Sequence, residues 1–129
     1  MFKTVEWKNN TVVMIDQTVL PEKEIYRKYK TYTEVAKAIK DMIVRGAPAI
    51  GVAAAMGVAL GALKSKATDM KGFSKEFDKI TSLMASTRPT AVNLFWAIER
   101  MKKVASENAA LSVDKLKKRL VEEAKTIHK

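Results

Sequence analysis

At 129 residues the chain has the length of one domain, and 47% of it is hydrophobic, enough to bury a core. It contains no cysteine, which excludes a disulfide framework, a thiolate metal site and a cysteine nucleophile within these residues. The net charge of +10 suits anionic small molecules, nucleic acid or solubility alone. The basic residues, as in Lys115-Leu116-Lys117-Lys118-Arg119, are scattered over helix faces without interleaved aromatics, so a solvated face is the expectation and no nucleic-acid partner is assigned. The opening residues lack the apolar run of a signal peptide. The longest apolar run, 47–63, falls short of the roughly 20 residues of a membrane span and is diluted by Ala and Gly, so it reads as a buried helix and no membrane partner is assigned.

In chain order, residues 1–30 read as strands. Thr4-Val5-Glu6-Trp7-Lys8 roughly alternates, Asn9-Asn10 is a turn signal, and Thr11-Val12-Val13-Met14-Ile15-Asp16 follows. Pro21 interrupts, and Glu24-Ile25-Tyr26-Arg27-Lys28-Tyr29 supplies a third short strand of an antiparallel sheet. Thr31 and Glu34 have capping-box spacing ahead of a helix over 33–44, whose apolar face is Val35, Ile39, Met42 and Ile43. Arg45-Gly46-Ala47 breaks that pattern, and Pro48 suits the first turn of a second helix running to about residue 64. This helix is apolar nearly all round and should be central, with Gly57 and Gly61 on one face where another backbone could come close.

Residues 66–72 read as a loop, and a third helix over 74–85 carries Phe77, Ile80, Leu83 and Met84, with Phe73 just ahead of it. After the break Ser86-Thr87-Arg88-Pro89-Thr90, a fourth helix over 90–107 draws its core from Val92, Phe95, Trp96, Ile98 and Met101. A fifth, over 113–128, starts at Ser112 as N-cap and lines up Val113, Leu116, Leu120, Ala124 and Ile127. It ends without a C-cap glycine, which suggests that more polypeptide follows. The fold class expected is α+β: a small N-terminal antiparallel sheet of about three strands, then a bundle of about five helices, in a single domain over 1–129.

Two places share one local design. Arg45-Gly46-Ala47-Pro48 and Arg88-Pro89-Thr90 each put an arginine just before a helix that opens with proline. A helix start offers unpaired N–H groups and partial positive charge, and a guanidinium adds a planar fork for phosphate. Gly46 lets a ligand approach the backbone. Brought together, the two corners form a phosphate or sugar-phosphate pocket; apart, they are ordinary solvated turns. The pattern is not a P-loop, because Val52-Ala53 stands where Lys-Ser/Thr is required after Gly46 and Gly51. Asp16 and Gln17 read as polar strand-end groups. Asn93 and Trp96 share a helical face, with Trp96 expected in the core. His128, the lone histidine, reads as solvent-exposed, and Glu99-Arg100 and Glu122-Glu123 read as solvated helix charges. No acid–base pair emerges.

Three stretches together resemble the methylthioribose-1-phosphate isomerases: Ile15-Asp16-Gln17-Thr18-Val19-Leu20-Pro21, Val44-Arg45-Gly46-Ala47-Pro48-Ala49-Ile50-Gly51-Val52-Ala53-Ala54 and Thr87-Arg88-Pro89-Thr90-Ala91-Val92-Asn93-Leu94. The wider group includes ribose-1,5-bisphosphate isomerases and regulatory subunits of translation initiation factor 2B. The resemblance covers essentially all 129 residues but only the N-terminal domain of such proteins. It implies a larger Rossmann-like catalytic domain absent from this chain, homodimers as full-length proteins, and a cytoplasmic place in methionine salvage. The reaction implied is conversion of methylthioribose 1-phosphate to methylthioribulose 1-phosphate, with no metal or organic cofactor. Carried over by motif, Arg45, Gly46, Ala47 and Arg88 contact the phosphorylated pentose. The family's catalytic cysteine and aspartate fall in the second domain, so no catalytic residue is expected in this chain and the 129 residues alone should be inactive. The rival readings are an initiation-factor-2B-like regulatory subunit, an isomerase of a related pentose phosphate such as a 5-deoxyribose phosphate, and a plain helical interaction domain.

Overall fold

The computed structural model describes residues 5–16, 18, 22, 25–43, 47–88 and 91–127. Among these, three strands precede five helices: β1 (Val5–Lys8), β2 (Thr11–Ile15), β3 (Tyr26–Tyr29), α1 (Tyr32–Lys40), α2 (Ala47–Lys64), α3 (Met70–Ala85), α4 (Val92–Glu107) and α5 (Val113–Thr126). The expected α+β class and element order are what is found.

The strands form an antiparallel meander with β2 in the centre. Asn9 and Asn10 turn the first hairpin with φ of 52° and 59°, the left-handed region that asparagine tolerates. Register puts Val5 opposite Met14, and both Trp7 and Tyr29 opposite Val12, so one sheet face is apolar. That face packs on α2 through β1 and β2. Three residues of β3, at the sheet edge, are exposed. Its two lysine and arginine side chains discourage pairing with another edge.

The central helix is α2. Residues 50–62 are all buried, and α1, α3, α4 and α5 pack around it. A surrounding of this kind overrides the low helix propensity of three glycines. A methyl group on Gly57 would stand 2.6 Å from Met84 Cε and 2.9 Å from Val35 Cγ1, and one on Gly61 would stand 2.9 Å from Ile80 Cδ1. The neighbours at these two positions are side chains of α1 and α3, not the backbone the spacing suggested. Close backbone approach occurs instead at Gly51. Met56, Leu60, Phe73, Met84, Leu94, Ile98, Met101, Leu116 and Leu120 fill the core around α2. No described helix is long and apolar enough to cross a membrane.

Several boundaries differ from the sequence reading, each for a local reason. The capping box at Thr31 and Glu34 forms as expected, but α1 stops at Lys40 instead of reaching 44. Met42 adopts φ of 63°, and the Ile43 and Met42 N–H groups donate to the carbonyls of Ala38 (2.9 Å) and Ile39 (3.2 Å). This is a Schellman closure with methionine where glycine is usual, and it takes Met42 and Ile43 off the helix. α3 begins at Met70, inside the expected loop, because the Asp69 carboxylate caps Gly72 N–H at 2.8 Å. The Ser112 cap on α5 forms as expected, accepting from Lys115 N–H.

Glu123 and Arg100 are not the freely solvated charges expected. Arg100 donates to Glu123 across α4 and α5, and Arg119 adds a second bond at 2.9 Å. Burial pushes the Glu123 carboxyl pKa up, but the two guanidinium bonds outweigh it and hold it below its ordinary value. Glu99 and Glu122 pair loosely with Lys102 and Lys125, as solvated helix charges do.

Candidate functional site

The two arginine corners lead into α2 and α4. Arg45 and Gly46 lie outside the described residues, as does Gln17, so the first corner is read from the helix that follows it. Ala47 opens α2, and Pro48 occupies its first turn, where a missing N–H costs no helical bond. No acidic residue occupies this first turn. Neutral first-turn side chains leave the positive end of the helix dipole uncompensated.

The second corner is built by the end of α3. Ser86 and Thr87 turn their hydroxyls back onto the carbonyls of Leu83 and Met84, at 2.6 and 2.7 Å, which closes the helix end. Arg88 follows, partly buried. Its carbonyl accepts from Ala91 N–H at 2.9 Å, the contact that leads the chain into α4. Among the described residues, no carboxylate lies within ion-pair distance of the Arg88 guanidinium. Ala91 is the N-cap of α4 and has no side-chain oxygen to satisfy the first N–H groups. By contrast α1, α3 and α5 are capped by Thr31, Asp69 and Ser112.

The feature that joins the corners is Gly51. A methyl group there would stand 3.2 Å from the Asn93 carbonyl oxygen and 3.7 Å from Asn93 Cβ. Gly51 is one turn into α2, and Asn93 is in the first turn of α4. The two helix starts are therefore neighbours, as a shared anion pocket requires. The sequence singles out Gly51 only as the second glycine of an incomplete P-loop and as part of the family motif over 44–54. Its partner lies over 40 residues away, so no local signal could reveal the contact.

Other sequence candidates fall differently. Asp16 is 1% exposed and ends β2 as expected. It accepts from Thr18 N–H and Oγ1–H, and from Arg27 Nε at 2.9 Å. It is a structural tie between β2 and β3. His128 lies outside the described residues. Asn93 is partly buried under Gly51. Trp96 is not core: it is 54% exposed, and its companions Phe95 and Val92 are 37% and 78% exposed. α4 packs on α2, α3 and α5 and turns Leu94, Ala97, Ile98 and Met101 inward, which puts Val92, Phe95 and Trp96 on the side these helices do not cover. The Arg100 guanidinium sits 5.5 Å over the Trp96 ring.

What the corner offers chemically is positive charge and N–H donors. Arginine stays protonated at any working pH, so it binds and orients an anion but does not shuttle protons.

Comparison with known proteins finds relatives along nearly the whole chain. The methylthioribose-1-phosphate isomerase of Geobacter sulfurreducens is 56% identical over 123 residues, which is 95% of this chain and 36% of that protein. The crystal structure of 5-methylthioribose 1-phosphate isomerase from Pyrococcus horikoshii OT3 superposes with a TM-score of 0.95 at 47% identity, over 98% of this chain and 36% of that one. The crystal structure of translation initiation factor eIF-2B, subunit delta, from A. fulgidus superposes at 0.90 with 38% identity, again over 98% and 36%. The chain thus spans little more than a third of the length of these relatives. A family model described as the initiation factor 2 subunit family matches residues 43–129, from just before the first corner to the last residue, and the chain belongs to that family.

Proposed function

We propose that these 129 residues are the N-terminal, substrate-holding domain of an aldose–ketose isomerase that converts methylthioribose 1-phosphate to methylthioribulose 1-phosphate. The observation that carries the proposal is the contact of Gly51 with Asn93, which sets the starts of α2 and α4 side by side in a chain this similar to isomerases. In this reading Arg45, Gly46 and Ala47 at one start and Arg88 at the other hold the phosphate. The guanidinium groups supply bidentate bonds, the helix starts supply backbone N–H groups, and the bound anion is fixed relative to the reacting sugar carbons. Isomerisation also needs a positioned group that gives and takes a proton near neutral pH. That group belongs to the second, Rossmann-like domain of the complete enzyme, which works as a homodimer in the cytoplasm.

The test has two arms. Titration of the 129-residue chain with inorganic phosphate, followed by NMR, should shift the amides of Ala47, Val92 and Asn93 selectively; no shift there removes the anion corner. The pure 129-residue chain should show no isomerase turnover, whereas a protein joining it to the rest of an isomerase should; turnover by the chain alone sinks the division of labour.

The similarity to the A. fulgidus initiation-factor subunit supports a second reading, a regulatory subunit without turnover. Failure of the joined protein to isomerise methylthioribose 1-phosphate while its Ala47 amide still responds to phosphate would favour that reading.

A further inference from the structure

A groove of about 300 Å³ runs between α3 and α4, with Leu116 of α5 also lining it. Its shape follows from residue size. From α3 come Phe73 and Phe77, one turn apart, with ring centroids 6.0 Å apart and planes 23° from parallel. From α4 come Ala105 and Ala109, also one turn apart, whose side chains are too short to fill the space opposite the rings. Large residues on one wall and small ones on the other leave an apolar slot along the two helices.

The slot has a charged end. The lining positions run antiparallel, so Asp78 and Lys102 both lie toward the connection between the helices, while Met70 and Ala109 lie toward the other end. Asp78 and Lys102 do not pair with each other. Lys102 reaches Glu99 loosely at 3.6 Å, and no ion pair among the described residues engages the Asp78 carboxylate. At a rise of about 1.5 Å per residue, Lys102 lies about 15 Å along α4 from Val92, so the groove is separate from the anion corner.

We propose that this groove binds a free α-amino acid with an unbranched apolar side chain. Its ammonium meets Asp78, its carboxylate meets Lys102, and its side chain lies along Phe77, Phe73 and Leu116. At about 30 Å³ per water the groove holds roughly ten water volumes, room for a small molecule but not for a partner helix about 10 Å across. An apolar slot with a few polar groups converging at one end is the usual form of a small-molecule site. The two charges select the head group. A fatty acid would set its carboxylate beside Asp78, and an alkylamine would set its ammonium beside Lys102. A molecule carrying both groups meets each charge with the opposite sign.

The proposal is independent of the isomerase reading, and its readout does not involve turnover. Methyl NMR of the 129-residue chain follows Met70, Ala105 and Leu116 during titration with three probes. These are L-norleucine, hexanoate (the same body without the ammonium) and pentylamine (the same body without the carboxylate). L-Norleucine should shift these methyl signals saturably at millimolar concentration. Each stripped probe should bind about threefold or more weakly, the size of a partly exposed ion pair. Asp78→Asn should weaken L-norleucine about threefold and leave hexanoate no weaker, and Lys102→Gln should do the same with pentylamine as the control. Ser106 is exposed on the α4 wall, so Ser106→Leu fills the groove and should abolish the shifts while leaving the melting temperature within about 2 °C. No saturable shift up to the solubility of L-norleucine overturns the proposal, as does equal binding of the three probes or binding that survives Ser106→Leu. L-Norleucine binding that vanishes when the chain is joined to the remainder of the Geobacter sulfurreducens isomerase also overturns it, in favour of a groove filled by the rest of the polypeptide.

Discussion

Asp16 offers a sharp test of how the sheet is tied, because its charge and its shape can be separated. The carboxylate is buried, with Thr18 donating twice to one oxygen and Arg27 donating to the other. The Thr18 hydroxyl bond does most to hold the pKa below the ordinary carboxylate value, burial opposes it, and the Arg27 guanidinium adds to the lowering. Asp16→Asn keeps the volume and one carbonyl acceptor for Thr18, but turns an amide donor toward the Arg27 donor. A hydrogen bond to a charged group contributes about 1.5–3 kcal/mol, and exposure of Arg27 moves the loss to the low end, about 1–2 kcal/mol at pH 7. For a domain of this size that is a fall of about 4–8 °C in melting temperature. The folded pKa lies below the unfolded value of about 3.9, so this stabilisation is complete well above that value and is lost as pH falls through the folded pKa. Thermal melts of both proteins at pH 7, 4 and 3, followed by circular dichroism, should show the gap closing at acid pH. A gap of the same size at pH 3 as at pH 7 would refute the charge argument and assign the loss to packing.

Gly57→Ala should destabilise by about 1 kcal/mol, because overpacking against Val35 and Met84 outweighs the roughly 1 kcal/mol gain in helix propensity; a urea midpoint that falls in Gly57→Ala and recovers in Gly57→Ala/Val35→Ala checks this. Met42→Gly should stabilise by about 0.5–1 kcal/mol, since an exposed methionine gives way to the residue suited to φ of 63°, and a lower melting temperature would contradict the assignment. Glu123→Gln should release Arg100, cost about 1–2 kcal/mol and increase the rate of Trp96 oxidation, because the arginine is then no longer held over the ring.

Much of the fold was legible because its signals are local. The Asn9-Asn10 turn, the Thr31 and Ser112 caps and the all-apolar stretch of α2 each rest on neighbours within a few residues. The end of α1 was misread because Met42 is an apolar residue at a helix-compatible spacing, and only its backbone angle shows that it closes a Schellman turn. Trp96 was misread because size and apolarity favour burial on average, while the inward face of α4 is decided by Leu94, Ala97 and Ile98 acting together. The Arg100–Glu123 bridge joins α4 to α5, and no sequence spacing reports it. The candidate corners were visible as motifs, but their adjacency was not: it depends on how α4 packs on α2 at Gly51.

The uncapped start of α4 makes the anion reading testable by substitution of one partly buried residue at the edge of the core. Ala91 sits at the N-cap with φ of −85° and ψ of 100°, extended geometry that suits a capping side chain. Ala91→Asp would place a carboxylate on the same N–H groups that an incoming phosphate uses, and its negative charge would oppose the phosphate directly. A cap of this kind stabilises by about 1 kcal/mol and raises the melting temperature by about 4 °C. Phosphate affinity, read from the titration of the Ala47 amide, should fall at the same time by about tenfold or more, because the donors are taken and a like charge stands beside the anion. Stability and binding would then move in opposite directions, which general damage to the fold does not produce. An Ala91→Asp chain that is more stable and binds phosphate as before would show that the start of α4 is not part of an anion site, and that alanine stands at this cap for another reason.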